Sequence, residues 1–290
     1  MTRIITSLSD ISESYDALFC DLWGCVHDGL APFAEAVAAL QAFRARGGTV
    51  MLVTNAPRAH APVRRQLDRL GVPSDAYDGI ATSGDSARAA MLRGAVGEKV
   101  YFIGQPHDQD FFAPLELIEN PVTISQVPLE QAEGMVCCGP FDPLADPKEM
   151  RAQFLQAKTR GLKLLCANPD IVVDRGETRE WCAGALAKLY TEMGGESLYF
   201  GKPHPPIYDL ARRRLQALGK DIPDSRILCV GDGILTDIDG AMGEDLDSLF
   251  ITGGLAARET QTADQPDPKA LMAYLTKEMR QPAYSIGKLR

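Results

Sequence analysis

Leu18-Phe19-Cys20-Asp21-Leu22-Trp23-Gly24 ends an apolar run on an aspartate. An acid there is costly unless something binds it, so Asp21 reads either as a strand-end turn residue or as a nucleophile or metal ligand. Three later stretches repeat the arrangement. Met51-Leu52-Val53-Thr54-Asn55 closes an apolar run on hydrogen-bonding groups. That pair is common at helix N-caps and turns, and it also offers hydroxyl, amide and backbone N–H groups to a phosphate. In Tyr199-Phe200-Gly201-Lys202-Pro203 a lysine follows a run and precedes prolines and a helical pattern. It is either solvated or set to neutralise an attacking carboxylate and phosphoryl oxygens. Leu228-Cys229-Val230-Gly231-Asp232-Gly233-Ile234-Leu235-Thr236-Asp237 places two acids five apart behind a buried-strand pattern. This suits a hard divalent cation, or simply an Asp-Gly turn. No GxGxxG follows any run, which leaves a dinucleotide site unsupported.

Outward from these stretches, β-rich runs at 17–23, 49–55, 99–103, 135–139, 163–167, 198–200, 226–231 and 248–252 alternate with amphipathic segments at 33–46, 62–70, 85–93, 147–160 and 205–218. Such alternation predicts βα units and a largely parallel sheet. Several runs are apolar throughout, as strands covered on both faces should be. Gly47, Gly71, Gly94, Gly161 and Gly219 stand where helices should stop. The four polar clusters would then lie at strand C-termini, where open α/β sheets place ligands. Residues 259–268 form the most loop-like piece, and the last dozen residues are expected to be loosely held.

The chain's 290 residues suffice for two compact domains or one large one. A formal net charge of −9 argues against a nucleic-acid partner and against an anionic membrane surface, since both need a basic footprint. Phosphate binding would then need a local positive feature: a metal, a lysine or helix N-termini. The seven cysteines are odd in number, form no CxxC pair and match no zinc spacing. A reducing cytoplasm is the expected location. The acidic N-terminus lacks the apolar segment of a signal peptide, and no apolar run approaches the ~18–20 residues of a membrane span.

Taken in order, Asp, Thr-Asn, Gly-Lys-Pro and Gly-Asp-x-x-x-x-Asp resemble the four motifs of the haloacid dehalogenase (HAD) superfamily, over roughly residues 16–252. Ala167-Asn168-Pro169-Asp170, followed by Cys182-Ala183-Gly184-Ala185, resembles subfamily IIA, which includes NagD-like, 4-nitrophenylphosphate and pyridoxal phosphate phosphatases. The resemblance implies an α/β fold: a Rossmann-like core with a parallel sheet, formed by residues 1–82 and 197–290, and a large inserted α/β cap at 83–196 that chooses the substrate. It implies magnesium as cofactor and a small phosphorylated metabolite as substrate. Cap-mediated dimers occur in that branch, so it also implies a homodimer. By motif position, Asp21 matches the nucleophile that forms an aspartyl-phosphate. Thr54 and Asn55 match the phosphate binders, and Lys202 the motif lysine that acts in catalysis and on phosphate. Asp21, the backbone carbonyl of Trp23 and Asp232 match the metal ligands, with Asp237 in support.

The family's phosphatases carry Asp where this chain has Trp23. That Asp protonates the leaving alcohol and then activates water. An indole N–H donates a hydrogen bond but shuttles no proton, and general acid–base help is typically worth ~10²–10⁴ in rate. Three readings follow: a slow or narrow phosphatase with a surrogate acid, His27 or Asp28; a non-catalytic protein that binds a phosphorylated ligand; and a dehalogenase-like hydrolase. The 2-haloacid dehalogenases carry a tyrosine at this position, but they use no magnesium, and the intact Asp232/Asp237 pair argues against that analogy. Specificity is expected from Asn168, Asp170, Arg175, Arg179 and Trp181, the last three in a loop spanning 174–182. Gly184 is expected to allow a close approach of cap and core.

Overall fold

The computed structural model describes residues 2–113, 120–175 and 178–290, with the side chains of 174 and 175 also outside the description. The chain opens with strands β1 (Arg3–Ile4), β2 (Ala17–Cys20), β3 (Thr49–Thr54) and β4 (Gly79–Thr82), with helices α1 (Ala34–Ala45) and α2 (His60–Leu70) between them. It then builds a separate layer: α3 (Ser83–Leu92), β5 (Lys99–Ile103), β6 (Ser125–Gln126), β7 (Gly134–Cys137), α4 (Arg151–Thr159), β8 (Lys163–Cys166), a hairpin of β9 (Val172–Arg175) and β10 (Thr178–Trp181), α5 (Ala183–Glu192) and β11 (Glu196–Tyr199). It returns through α6 (Pro205–Ala217), β12 (Ile227–Gly231), α7 (Asp239–Gly243), β13 (Asp247–Ile251), α8 (Pro268–Glu278) and β14 (Tyr284–Ile286). The contacts divide into two units. One comprises Met1–Thr54, Arg64–Ala81 and Lys202–Arg290; the other comprises Asn55–Val63 and Thr82–Gly201.

The first unit holds a seven-stranded sheet in the order β1-β14-β13-β12-β2-β3-β4. Pairings from β1 through β3 are parallel. Every residue of β2, β3 and β12 is buried, which explains their unbroken apolar sequence. On one face, α6 lays Ile207, Tyr208, Ala211 and Leu215 against Phe19, Met51 and Cys229. These positions recur every turn, the pattern of a helix with one buried stripe. From the central pair β2 and β12, the chain proceeds to β3 and β4 on one side and to β13 and β14 on the other. The loops leaving β2 and β12 therefore diverge. That reversal of strand order is where an open α/β sheet leaves a crevice.

The second unit holds a five-stranded parallel sheet, β11-β8-β7-β5-β6. Met135, Cys137, Leu164 and Cys166 pack with Phe154 of α4 and with Leu186 and Tyr190 of α5. Their neighbours Val136 and Leu165 pack with Ala87 and Met91 of α3. Side chains alternate across a strand, so both faces are covered. Among the described residues, no helix is long and apolar enough to cross a membrane.

Several expectations need correction. The last dozen residues are not loose: β14 pairs with both β1 and β13, and Leu289 is buried. The expected loop at 174–182 is corrected for its described residues: β9 and β10 pair antiparallel with Trp181 opposite Val172, while residues 176 and 177 lie outside the described residues. The strand before Lys202 joins the second unit's sheet through β8, so Lys202 does not end a strand of the seven-stranded sheet. Within the second unit the Gly184 N–H donates to the Asp170 carbonyl, and a Cβ there would strike the Pro169 and Asp170 carbonyls.

Candidate active site

Asp21 leaves the C-terminal end of β2, with its N–H donating to the carbonyl of Val230 in β12 (2.8 Å). Asp232 leaves the end of β12 itself. The two acids are 211 positions apart in sequence, and the parallel pairing of β2 with β12 makes them neighbours. Lys202, 3% exposed, comes from the turn ahead of α6 and bridges two carboxylates: Nζ lies 2.7 Å from Asp21 Oδ1 and 2.6 Å from Asp237 Oδ1. Asp237 Oδ2 accepts from the Gly233 N–H (3.0 Å). Asp232 Oδ2 accepts from the Leu255 N–H (3.1 Å), in the loop after β13. Thr54 ends β3, the neighbour of β2, and is buried.

Glycines shape this cluster. Gly24 turns the chain at φ +76°, and a Cβ there would run into the Asp232 carboxylate. Gly254 approaches the same carboxylate just as closely. No L side chain other than glycine fits either place without moving Asp232.

The electrostatics are lopsided. Three carboxylates share one ammonium, which leaves two negative charges in a buried space if all are ionised. Burial, then repulsion from Asp21 and Asp237, pushes the Asp232 carboxyl well above its ordinary range. Burial and the Asp21 charge also raise Asp237, to about 6, against the pull of Lys202. Burial alone would lower the Lys202 ammonium, but Asp21 and Asp237 outweigh it and hold the proton on. Two buried acids disfavoured as anions are what a hard divalent cation would relieve. One ligand atom each from Asp21, Cys25 and Asp232 lies within 4.8 Å of the others.

Trp23 turns away from simple solvent exposure. Its ring meets His27 edge-on at 5.3 Å between centroids and lies where a Cβ of Gly29 would be. His27 is 2% exposed, its Nδ1 accepts from the Gly29 N–H (3.1 Å), and burial lowers its pKa to about 4. Burial favours its neutral form. Asp28 Oδ1 accepts from the Ala31 and Leu30 N–H groups, which hold its carboxyl below the usual range. A carboxylate so held is a turn acceptor and a poor proton donor.

The remaining expected residues lie in the second unit. Asn55 donates from Nδ2 to Asp170 Oδ1 (2.8 Å), and the Asp170 N–H donates to Asn168 Oδ1 (3.0 Å). These three form one network. Arg179 and Trp181 sit on β10, with Trp181 36% exposed and its N–H donating to the Pro143 carbonyl. Arg175 ends β9, but its side chain lies outside the described residues. The sequence reading missed Cys25, Gly254 and the Leu255 N–H. Only the Gly253-Gly254 pair behind the last long apolar run carried a signal.

Comparison with known proteins identifies the family. The model of the family described as "Haloacid dehalogenase-like hydrolase" matches residues 18–117, and a second, HAD-hydrolase-like model matches residues 199–277. A 5'-nucleotidase of Bacillus subtilis is 25% identical over 91% of this chain and 97% of its own. The crystal structure of a glycerol phosphate phosphatase from Mycobacterium tuberculosis in complex with magnesium is 26% identical, with a TM-score of 0.67, covering 97% of this chain and 77% of that one. A haloacid dehalogenase-like hydrolase from Brucella suis is 39% identical, with a TM-score of 0.85, covering 99% of this chain and 100% of that one. With a full-length relative and two family models in agreement, the chain belongs to the haloacid dehalogenase-like hydrolases.

Proposed function

We propose that this protein is a magnesium-dependent hydrolase of a small phosphorylated metabolite, working through an aspartyl-phosphate on Asp21. The observation that carries the reading is the meeting of Asp21, Lys202, Asp232 and Asp237 in one buried cluster, Asp21 and Asp232 from the ends of β2 and β12. The named relatives, a 5'-nucleotidase and a magnesium-bound glycerol phosphate phosphatase, support a phosphate ester as substrate and magnesium as the cation.

Asp21 is the nucleophile in this reading. One carboxylate oxygen attacks phosphorus in line, the bond from phosphorus to the substrate oxygen breaks, and that oxygen leaves with the electron pair. Lys202 grips Asp21 Oδ1, which fixes the rotation of the carboxylate, and its charge offsets the charge growing on the phosphoryl oxygens. Asp232, Asp21 and the Trp23 backbone carbonyl would hold the cation, with Asp237 in support and anchoring Lys202. Bound magnesium would supply charge neutralisation and alignment of the phosphoryl group. Thr54 and Asn55 are assigned to phosphate. Residues 83–196 are assigned as the cap, with Asn168, Asp170, Arg175, Arg179 and Trp181 as its specificity residues.

Release of the alcohol and activation of water call for a proton carrier, and Trp23 is none. Neither His27 nor Asp28 replaces it, given their buried and turn-bound states. Turnover is therefore slow in this reading. The same observation favours a second one, a protein that binds a phosphorylated ligand without turning it over. Phosphate release from a panel of nucleotides, sugar phosphates and glycerol phosphates, with and without magnesium, decides between them. Weak magnesium-dependent release by wild type, abolished in Asp21→Asn and raised ~10²-fold or more in Trp23→Asp, is expected. No release by wild type, with release appearing only in Trp23→Asp, would favour the binding protein.

A further inference from the structure

Cys25 has no part in the hydrolytic reading, yet it points at the centre of the cluster. It is 1% exposed, and its sulfur lies within 4.8 Å of carboxylate oxygens of both Asp21 and Asp232. The turn that puts it there is well defined. Gly24 reverses the chain beside Asp232 and donates its N–H to the His27 carbonyl (2.9 Å), and the Val26 N–H closes the turn on the Leu22 carbonyl (2.8 Å). No hydrogen bond to or from the Cys25 sulfur is recorded among the described residues. The buried Asp232 carboxylate beside it accepts one, from Leu255. Among the described residues, this is the one group of three or more His, Cys, Asp or Glu side chains close enough to share a metal ion. The other six cysteines are buried too, without a comparable partner set.

A thiolate adds nothing for a hard cation, which prefers oxygen, but it raises the affinity for borderline and soft ones. We propose that Asp21, Cys25 and Asp232 form a mixed oxygen–sulfur site for a borderline divalent cation of the zinc or cadmium kind, which competes with magnesium for the same two carboxylates. This inference rests on the reading that Asp21 and Asp232 share a cation. The ligand set is two carboxylate oxygens and one sulfur, with a fourth place for water or a substrate oxygen. Distances of about 2.3 Å to sulfur and about 2.0–2.2 Å to oxygen require the three ligands to close slightly around the ion. On binding, the thiol gives its proton to solvent and the sulfur lone pair to the metal. The protein would thus be an oxygen-site enzyme that zinc silences by occupying the nucleophile.

Cadmium titration of the full-length protein tests this without any activity assay, because cadmium–thiolate bonds absorb in the near ultraviolet. Wild type should show the thiolate-to-metal band at one equivalent of cadmium, and excess magnesium should reverse it. Cys25→Ser should lose the band and bind cadmium roughly 100-fold more weakly, while magnesium affinity by calorimetry stays within a few-fold. Absence of the band in wild type, with magnesium still binding, overturns the proposal and leaves the magnesium reading standing. Wild type that binds neither cation defeats both. The wild-type spectrum decides even where Cys25→Ser folds poorly. Asp232→Asn adds an independent check, since it should weaken both cations.

Discussion

His27 illustrates how burial decides the role of a single side chain. Its Nδ1 is already an acceptor for the Gly29 N–H, and the Trp23 ring lies against it. Charging it would place a cation in a buried position, and burial lowers its pKa from 6.5 to about 4. The unfolded chain therefore binds a proton that the folded chain refuses between those two values. Stability is full above about pH 6.5 and falls as the pH drops toward 4, by about 3 kcal/mol at most for this group. His27→Asn keeps an acceptor near the Nδ1 position and has nothing to titrate. Denaturant unfolding should show wild type losing stability relative to His27→Asn as the pH falls from 7 toward 4; parallel curves from pH 4 to pH 7 would remove this role for His27. Trp23, lying against the same turn, was the one legible departure from the family motif. The sequence could not say whether the imidazole six residues beyond Asp21 was a proton donor or packing, because that depends on what encloses it.

At the scale of elements, two helices of the second unit begin in the same way. Gly84 in α3 donates its N–H to the Ala56 carbonyl (3.0 Å), and Gly184 in α5 donates to the Asp170 carbonyl (3.1 Å). A Cβ at either would collide with loop carbonyls, those of Pro57 and Arg58 or of Pro169 and Asp170. Both loops carry expected site residues or follow them, so these contacts set where Asp170 stands to receive Asn55. In an ordinary helix, Gly→Ala gains ~1 kcal/mol. At Gly184 the sign should reverse, since backbone carbonyls cannot swing aside, and a loss of about 1–3 kcal/mol is expected. Thermal unfolding of Gly184→Ala checks it, and a rise in midpoint would show that the loop yields. The amphipathic helices α1, α4 and α6 were legible from periodicity. Helix α8 was not among the expected elements, and strand β14, three residues long, carries too few residues to establish a period. What makes β14 a strand is the pair of edges, β1 and β13, that it fills.

At the scale of the molecule, stability should depend on the cation. The first unit buries Asp232 and Asp237 beside Asp21 with one lysine among them, and part of its folding free energy is lost to that repulsion. A cation that binds only the folded chain stabilises it by about 2.7 kcal/mol at a hundred times its dissociation constant. For a chain of this size that is a rise of several degrees, at roughly 2–4 °C per kcal/mol. Scanning calorimetry with magnesium and then with a chelator should show this shift, and Asp232→Asn should lose most of it. An unfolding temperature indifferent to magnesium in wild type would leave the cluster without its cation.

The α/β class, the parallel sheets and the order of the four polar clusters were fixed locally. Apolar runs between helical stripes specify βα units, and motif order along the chain does not depend on where the chain goes. Which of those ends would meet was settled only by the tertiary structure. Strand order puts β2 beside β12 and so joins Asp21 to Asp232 across most of the sequence, while Lys202 arrives from a turn and Cys25 from a glycine reversal. Charge excess, burial and a thiol's access to carboxylates are properties of distances in space, and no spacing in the sequence encodes them.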